Sequence, residues 1–168
     1  LLLLAKLDSA EYRRQVKKEP LSLYEILNSV KYKLSPQFQA KNQTFLLLPI
    51  NTDLTLHANY DWILQVIINL GENAIKYTPN DGEIILNAWE EDQTIYISIK
   101  DNGIGIAASH LPFIFERFYR VDKARSRNAG GSGLGLSLVR FIVEILGGKI
   151  DVTSELNKGT TFILSFRK

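Results

Sequence analysis

The chain has 168 residues, 45% of them hydrophobic, a formal charge of +2, and neither cysteine nor methionine. That is enough apolar material for one domain with a core and an appendage, and too little for two domains. Without cysteine there is no disulfide framework and no thiolate metal site, and a pI near 8.8 is too mild to attract nucleic acid on its own.

Residues 1–19 run LLLLAKLDSAEYRRQVKKE, an apolar start that shades into a charged stretch. Lys6 and Asp8 follow Leu1–Ala5 too soon for a bilayer span of about 20 apolar residues. Arg13, Arg14, Lys17 and Lys18 read as a solvated tail or as a phosphate- or membrane-facing patch. The absence of methionine points to a piece of a longer protein.

From Leu21 onward Leu23, Ile26, Leu27, Val30 and Leu34 recur at helical spacing, with Ser22 as a cap and a disturbance expected at Pro36. Thr44 to Ile50 and Leu54 to Ala58 read as short strands on either side of the turn-prone Asn51-Thr52-Asp53. A second helix is expected from about Tyr60 to Tyr77, ending at the breakers Thr78-Pro79-Asn80-Asp81-Gly82. Glu83 to Trp89 and Thr94 to Lys100 form a predicted antiparallel hairpin. A glycine-punctuated polar region follows to about Ser132, then a helix from Gly133 to Leu146 closed by Gly147-Gly148, then strands Lys149 to Ser154 and Thr160 to Phe166. Strands in pairs with helices between them predict an α/β two-layer sandwich: a mixed, largely antiparallel sheet with helices on one face.

Chemistry concentrates in three places. In NLGENAIKYT, a helix turning 100° per residue brings Asn69, Asn73 and Lys76 within about 60° of one another, beside Trp62 and Val66. An unpaired buried carboxamide costs roughly 1–3 kcal/mol, so such amides want definite partners. Neighbouring backbone is one such partner. A hard cation for the amide oxygen, with phosphates for the lysine, is another.

Asp101 shares the parity of Ile95, Ile97 and Ile99 and is expected to point at the helix-covered face, where a purine amine would satisfy it. The DNGIG that begins there is otherwise an ordinary turn. In GGSGLGL, residues 130–136, glycines lead into a helix N-terminus, a place where anions bind, although a flexible linker has the same composition. The spacing is neither a P-loop nor a Rossmann fingerprint. Between them FERFYRVDKARSRN, residues 115–128, carries five basic and two acidic residues, a local charge of +3. It is an exposed polar loop or, hinged on the glycines, a basic flap over phosphates.

The ordered set N-x-x-x-N-A-x-K-Y, D-x-G-x-G, F-x-x-F, G-x-G-L-G-L and G-T-x-F resembles the N, G1, F, G2 and G3 boxes of the catalytic, ATP-binding domain of sensor histidine kinases. The resemblance spans roughly Asn59 to Phe166. It implies the Bergerat ATP-binding fold shared with gyrase, the large heat-shock chaperones and mismatch-repair ATPases. It divides the chain into residues 1–19, the tail of a dimerisation and phosphoacceptor helix with its linker, and residues 20–168, the ATP-binding domain.

By the same resemblance Asn73 is the Mg²⁺ ligand, Lys76 contacts phosphate, Tyr77 lies beside the base and Asp101 bonds the adenine amine. Gly103, Gly105 and Ile106 belong to the nucleotide-contacting loop, and Phe115 and Phe118 to the F box. Arg120 and Arg125 resemble lid arginines. Gly131, Ser132, Gly133, Leu134, Gly135 and Leu136 make the glycine box, and Thr160 matches the last box. Asn69 stands where ATPases of the superfamily carry a glutamate base. A neutral amide cannot take a proton, so ATP is expected to be held without hydrolysis, with Asn69, Asn73 and Lys76 as the catalytic set.

The implied activity is protein-histidine kinase: Mg-ATP donating its γ-phosphoryl group to a histidine on a separate dimerisation domain, within a homodimer that signals to a response regulator. The rivals are an ATPase clamp of the same fold and a degenerate nucleotide-binding regulatory module. The chain has only two histidines, His57 and His110, and neither matches the phosphoacceptor box. Smaller departures are Asn59 where aspartate is common, Ala107 where proline is frequent, and Gly71 inside the helix. A cytoplasmic location is implied, with a parent that membrane segments elsewhere could anchor. Nucleic-acid and membrane contacts of this chain are not expected.

Overall fold

The computed structural model describes residues 16–121 and 133–168. Residues 1–15, and Arg125, Gly131 and Ser132 of the expected site, lie outside the described residues. In chain order the elements are β1 (Glu19–Ser22), α1 (Leu23–Ala40), β2 (Thr44–Leu47), β3 (Thr55–Ala58), α2 (Tyr60–Tyr77), β4 (Glu83–Glu91) and β5 (Thr94–Asp101). After a short 3₁₀ turn, Leu111–Phe113, come α3 (Gly135–Ile145), β6 (Gly148–Glu155) and β7 (Gly159–Arg167).

The main sheet has the order β2-β4-β5-β7-β6. Every pairing in it is antiparallel except β2 with β4, which run parallel. Strict alternation builds its two faces. Ile84, Leu86 and Ala88 of β4, Ile95, Ile97 and Ile99 of β5, and Phe162, Leu164 and Phe166 of β7 are buried. The residues between them are half-buried or exposed. The helices supply the other half of the core through Leu23, Leu27 and Val30 of α1, Ile63, Val66 and Ile67 of α2, and Val139 and Val143 of α3, each fully buried. At about 1.5–3 kcal/mol for each such side chain, this layer contact is the main source of stability. The two-layer sandwich is as expected.

Three local expectations are corrected. The stretch leading to the Ser22 cap, expected to be a charged tail, ends in a strand, Glu19–Ser22, paired antiparallel with β3 in a separate two-stranded sheet. Ser22 still caps α1, its hydroxyl accepting from the Glu25 N–H at 3.3 Å. The segments 44–50 and 54–58 are shorter strands than expected and belong to different sheets. The disturbance at Pro36 is confined to one hydrogen bond, and α1 continues to Ala40. Proline has no N–H to offer the Tyr32 carbonyl, and the Ser35 hydroxyl donates to that oxygen instead, at 2.7 Å.

At its N-terminus α2 is capped by Asn59, whose Oδ1 accepts from the Trp62 N–H at 3.2 Å while Nδ2 donates to the Lys17 carbonyl at 3.1 Å. The β4–β5 hairpin turns at Asp92 and Gln93, both with positive φ, as a two-residue turn of the primed class needs.

Gly71 in α2 faces α1. A Cβ there would sit 2.4 Å from Leu34 Cδ1, and Leu34 is buried. Gly71→Ala would gain about 1 kcal/mol of helix propensity and lose about 1–3 kcal/mol to overpacking. The expected result in denaturant unfolding is a lower midpoint with an unchanged slope.

Candidate functional site

Proline at 79 forces Thr78 out of the helical region, to φ −93° and ψ 131°, and so ends α2 abruptly. The last turn carries Asn73, Lys76 and Tyr77. Among the described residues the Asn73 carboxamide makes no hydrogen bond, and the Lys76 ammonium makes no ion pair, lying 5.3 Å from the centre of the Tyr77 ring. Asn73 and Lys76 are half-buried and Tyr77 is exposed. One turn earlier, Asn69 has its Nδ2 buried with no partner among the described residues.

The loop after β5 docks directly on this turn. The Ile104 N–H donates to the Tyr77 carbonyl at 3.1 Å. A Cβ on Gly103 would lie 2.4 Å from that same oxygen, so only glycine lets the two backbones meet. From the other side the Asn157 N–H donates to the Ile104 carbonyl at 2.8 Å, and the Ile106 N–H to Ser154 Oγ at 2.8 Å. Gly105 has φ +67°, and a Cβ on it would strike the Glu155 carbonyl oxygen at 2.0 Å.

Asp101 ends β5 opposite Thr160 of β7 and is buried, 6% exposed. Both of its hydrogen bonds reach one oxygen: Oδ1 accepts from the Gly103 N–H at 2.8 Å and from the Thr160 N–H at 3.3 Å. Oδ2 accepts no hydrogen bond among the described residues. Burial pushes the carboxyl up from its ordinary value, and the two backbone donors pull it part of the way back. Thr160 Oγ1 shares a 2.8 Å hydrogen bond with Ser154 Oγ, which joins the last motif to the DNGIG loop.

The F motif and the glycine segment also converge. The Phe118 N–H donates to the Gly133 carbonyl at 3.1 Å, Phe118 itself being exposed with φ +65°. Phe115 meets Phe162 edge-on at 6.2 Å. Arg120 is half-buried, its Cγ 3.3 Å from where a Gly133 Cβ would be. Leu134, Gly135 and Leu136 form the start of α3, and Gly135 faces α2, with Asn69 Oδ1 4.0 Å from its Cβ position.

Motifs spread over some ninety residues of sequence thus gather at the end of α2. His57 is exposed, as expected of a strand residue turned outward, while His110 Nδ1 is hydrogen-bonded to the Tyr119 hydroxyl at 2.6 Å.

No group of three or more His, Cys, Asp or Glu residues among the described ones forms a metal cage. The donor chemistry at Asn73 fits an ion that takes one protein oxygen and completes its shell with phosphate and water, the habit of Mg²⁺. A separate cleft of about 510 Å³ lies at the opposite end of β5, beside Ile95, with Lys18, His57, Arg167 and Lys168 on its walls. Two of those cations are engaged, Lys18 with the Leu146 carbonyl and Lys168 with Glu90.

Sequence reasoning missed two residues that shape the site, Lys41 and Gln43. The Lys41 Nζ donates to the carbonyls of Ile75, Lys76 and Thr78, and the Gln43 Nε2 to those of Ile75, Thr78 and Pro79. No local pattern announces a helix cap supplied from 35 residues away.

Residues 58–168 match the family described as histidine kinase-, DNA gyrase B-, and HSP90-like ATPase, and the chain belongs to that family. Among curated relatives, the phosphate regulon sensor protein PhoR of Pseudomonas aeruginosa is 35% identical over 166 residues, covering 99% of this chain and 37% of that protein. The sensor histidine kinase WalK of Bacillus subtilis is 37% identical over 172 residues, covering the whole chain and 28% of that protein. The chain therefore spans about a third of the length of the curated relatives it matches.

The solved catalytic domain of histidine kinase ThkA superposes with a TM-score of 0.79 at 30% identity, covering 90% of this chain and 95% of that one. ThkA in complex with the response regulator TrrA gives 0.80 at 26% identity, with 99% and 45% covered. Full-length ShkA in complex with AMPPNP gives 0.83 at 27% identity, with 98% and 33% covered. The fold is that of a histidine-kinase catalytic domain.

Because its pKa is raised, Asp101 binds its proton more tightly in the folded chain than in the unfolded one. The ionised form therefore costs stability at neutral pH, and the cost disappears as pH falls through the raised pKa toward the ordinary 3.8. Asp101→Asn keeps an acceptor for both backbone donors and carries no charge. It is expected to melt at or above the wild-type temperature at pH 7, with its advantage vanishing below about pH 4, as differential scanning calorimetry across pH would record.

Proposed function

We propose that this domain binds Mg-ATP and presents its γ-phosphoryl group to a histidine on a separate dimerisation domain of the same kinase. The observation that carries the reading is the convergence on one helix end of Asn69, Asn73, Lys76, Asp101 and the start of α3. Asp101 Oδ2 would accept from the adenine amine, with Gly103 and Ile104 letting the base approach the backbone and Tyr77 flanking it. Lys76 and the N–H groups opening α3 would face the phosphates. Gly105, Ile106 and Thr160 hold that loop to the β6–β7 turn. Asn73 would give the metal its single protein oxygen. The ion, when bound, neutralises charge on the transferring phosphates.

The rest of the catalysis is positioning, which suits phosphoryl transfer. Asn69 offers no base, so water is not activated and the nucleotide waits for a nucleophile that needs no deprotonation. A neutral imidazole is one. The relatives named as sensor kinases, the AMPPNP complex of ShkA and the TrrA complex of ThkA support this assignment and a response regulator downstream. Arg120, with Arg125, Gly131 and Ser132 outside the described residues, would complete the phosphate side. No helix among the described residues is long and apolar enough to cross a membrane. A cytoplasmic site of action follows from the proposed use of ATP, in a homodimeric parent.

Calorimetric titration with ADP and with a non-hydrolysable ATP analogue is expected to give binding in the wild type. Asp101→Asn should raise Kd by about 10- to 100-fold, the value of a charge-assisted hydrogen bond of about 1.5–3 kcal/mol. Asn73→Ala should remove the enhancement by Mg²⁺. Mixed with its dimerisation domain and labelled ATP, the chain should label a histidine there and release little phosphate alone. Steady ATP turnover by the isolated chain would favour the ATPase clamp instead.

A further inference from the structure

The carbonyls of a helix's last turn lack intrahelical donors. In α2 these are the carbonyls of Ile75, Lys76, Tyr77 and the capping Thr78, since Ala74 is satisfied by the Thr78 N–H. The Tyr77 oxygen is taken by Ile104, within the site. The other three are taken by Lys41 and Gln43, from the turn between α1 and β2. Lys41 reaches all three, and Gln43 reaches Ile75 at 3.0 Å and Thr78 at 2.7 Å.

The same turn is stitched to the α2–β4 turn a second time. The Asp81 N–H donates to the Lys41 carbonyl at 3.1 Å, the Thr44 N–H to the Gly82 carbonyl at 2.9 Å, and Asn42 Nδ2 to Asp81 Oδ1. A cation at the negative end of the helix dipole, inside a cage of carbonyls, holds far better than a neutral donor would. Its partial burial lowers the Lys41 pKa.

We infer that Lys41, assisted by Gln43, is a positioning residue for nucleotide binding. It fixes the last turn of α2 so that the Tyr77 carbonyl meets Ile104 and the DNGIG loop stands in its binding conformation. Lys41 itself touches no nucleotide in this arrangement. The inference rests on the nucleotide reading above, and it explains why a helix ended so abruptly by Pro79 does not fray at the one turn that carries Asn73, Lys76 and Tyr77. Without the cation, Ile75 and Thr78 keep Gln43, so the fold survives while the Lys76 carbonyl and the turn's orientation are released.

The test compares the wild type with Lys41→Met, which keeps the aliphatic stem, and Lys41→Arg, which keeps the charge. ADP affinity is measured by calorimetry, and exchange of the Ile104 amide proton by NMR in the nucleotide-free chain. Expected are a roughly tenfold loss of ADP affinity and a roughly tenfold faster Ile104 exchange in Lys41→Met, with the cooperative melting transition retained and most of the loss recovered in Lys41→Arg. A Lys41→Met chain that binds ADP within twofold of the wild type, or whose Ile104 exchange is unchanged, overturns the inference. An arginine variant as weak as the methionine one overturns its cationic part. If the wild type binds no ADP, the nucleotide reading fails, and the Ile104 exchange alone then upholds or rejects the clamp.

Discussion

A carboxylate buried at the end of a central strand is the constraint around which this domain is arranged. Desolvating Asp101 is unfavourable, and the chain offsets it with two backbone donors, Gly103 from the loop just beyond and Thr160 from the neighbouring strand. Those two bonds decide where the loop can go and which strand must lie beside β5. Once the loop turns at Gly103 its next residue meets the end of α2, and once β7 is alongside, its turn with β6 supplies Asn157 and Ser154 to hold residues 104 to 106. The site is thus a by-product of satisfying one acid.

The helix side follows a complementary logic. Positions 69, 73 and 76 lie on one stripe of α2, next to the apolar stripe of Ile63, Val66, Ile67 and Leu70 that packs into the core. Packing fixes the rotation of the helix, Pro79 fixes where it ends, and the cap from Lys41 and Gln43 holds that end in place. Rigid core residues thereby orient polar groups that have few partners of their own among the described residues, the condition a pre-formed binding site requires.

Much of this was legible because it is local. The bounds of α2 follow from apolar periodicity and from Thr78-Pro79, and the β4–β5 hairpin from its alternation. Asp101 could be placed on the core face by parity with Ile95, Ile97 and Ile99. What escaped depends on partners far along the chain. The four residues that end at the Ser22 cap are too few to show a strand period, so β1 is visible only through its pairing with Thr55–Ala58. That β2 would join β4 in parallel is written in no turn signal, since α2 separates them. Gly71, a flaw on a propensity scale, proves to be the point where Leu34 fits. Lys41 and Gln43 carry no motif at all, and the glycine segment and F motif are legible mainly through resemblance.

By the resemblance described above, Asn59 stands where an aspartate is common, and its geometry gives that departure a meaning. Either side chain has an oxygen with which to start α2. Only the amide also has hydrogens to give the incoming backbone at Lys17. The Asn59 NH₂ group therefore ties the backbone at Lys17 to the first turn of the site-bearing helix. Exchanging that group for oxygen would keep the cap and release that tie, so how firmly the backbone leading into β1 is held to α2 can change without touching the site.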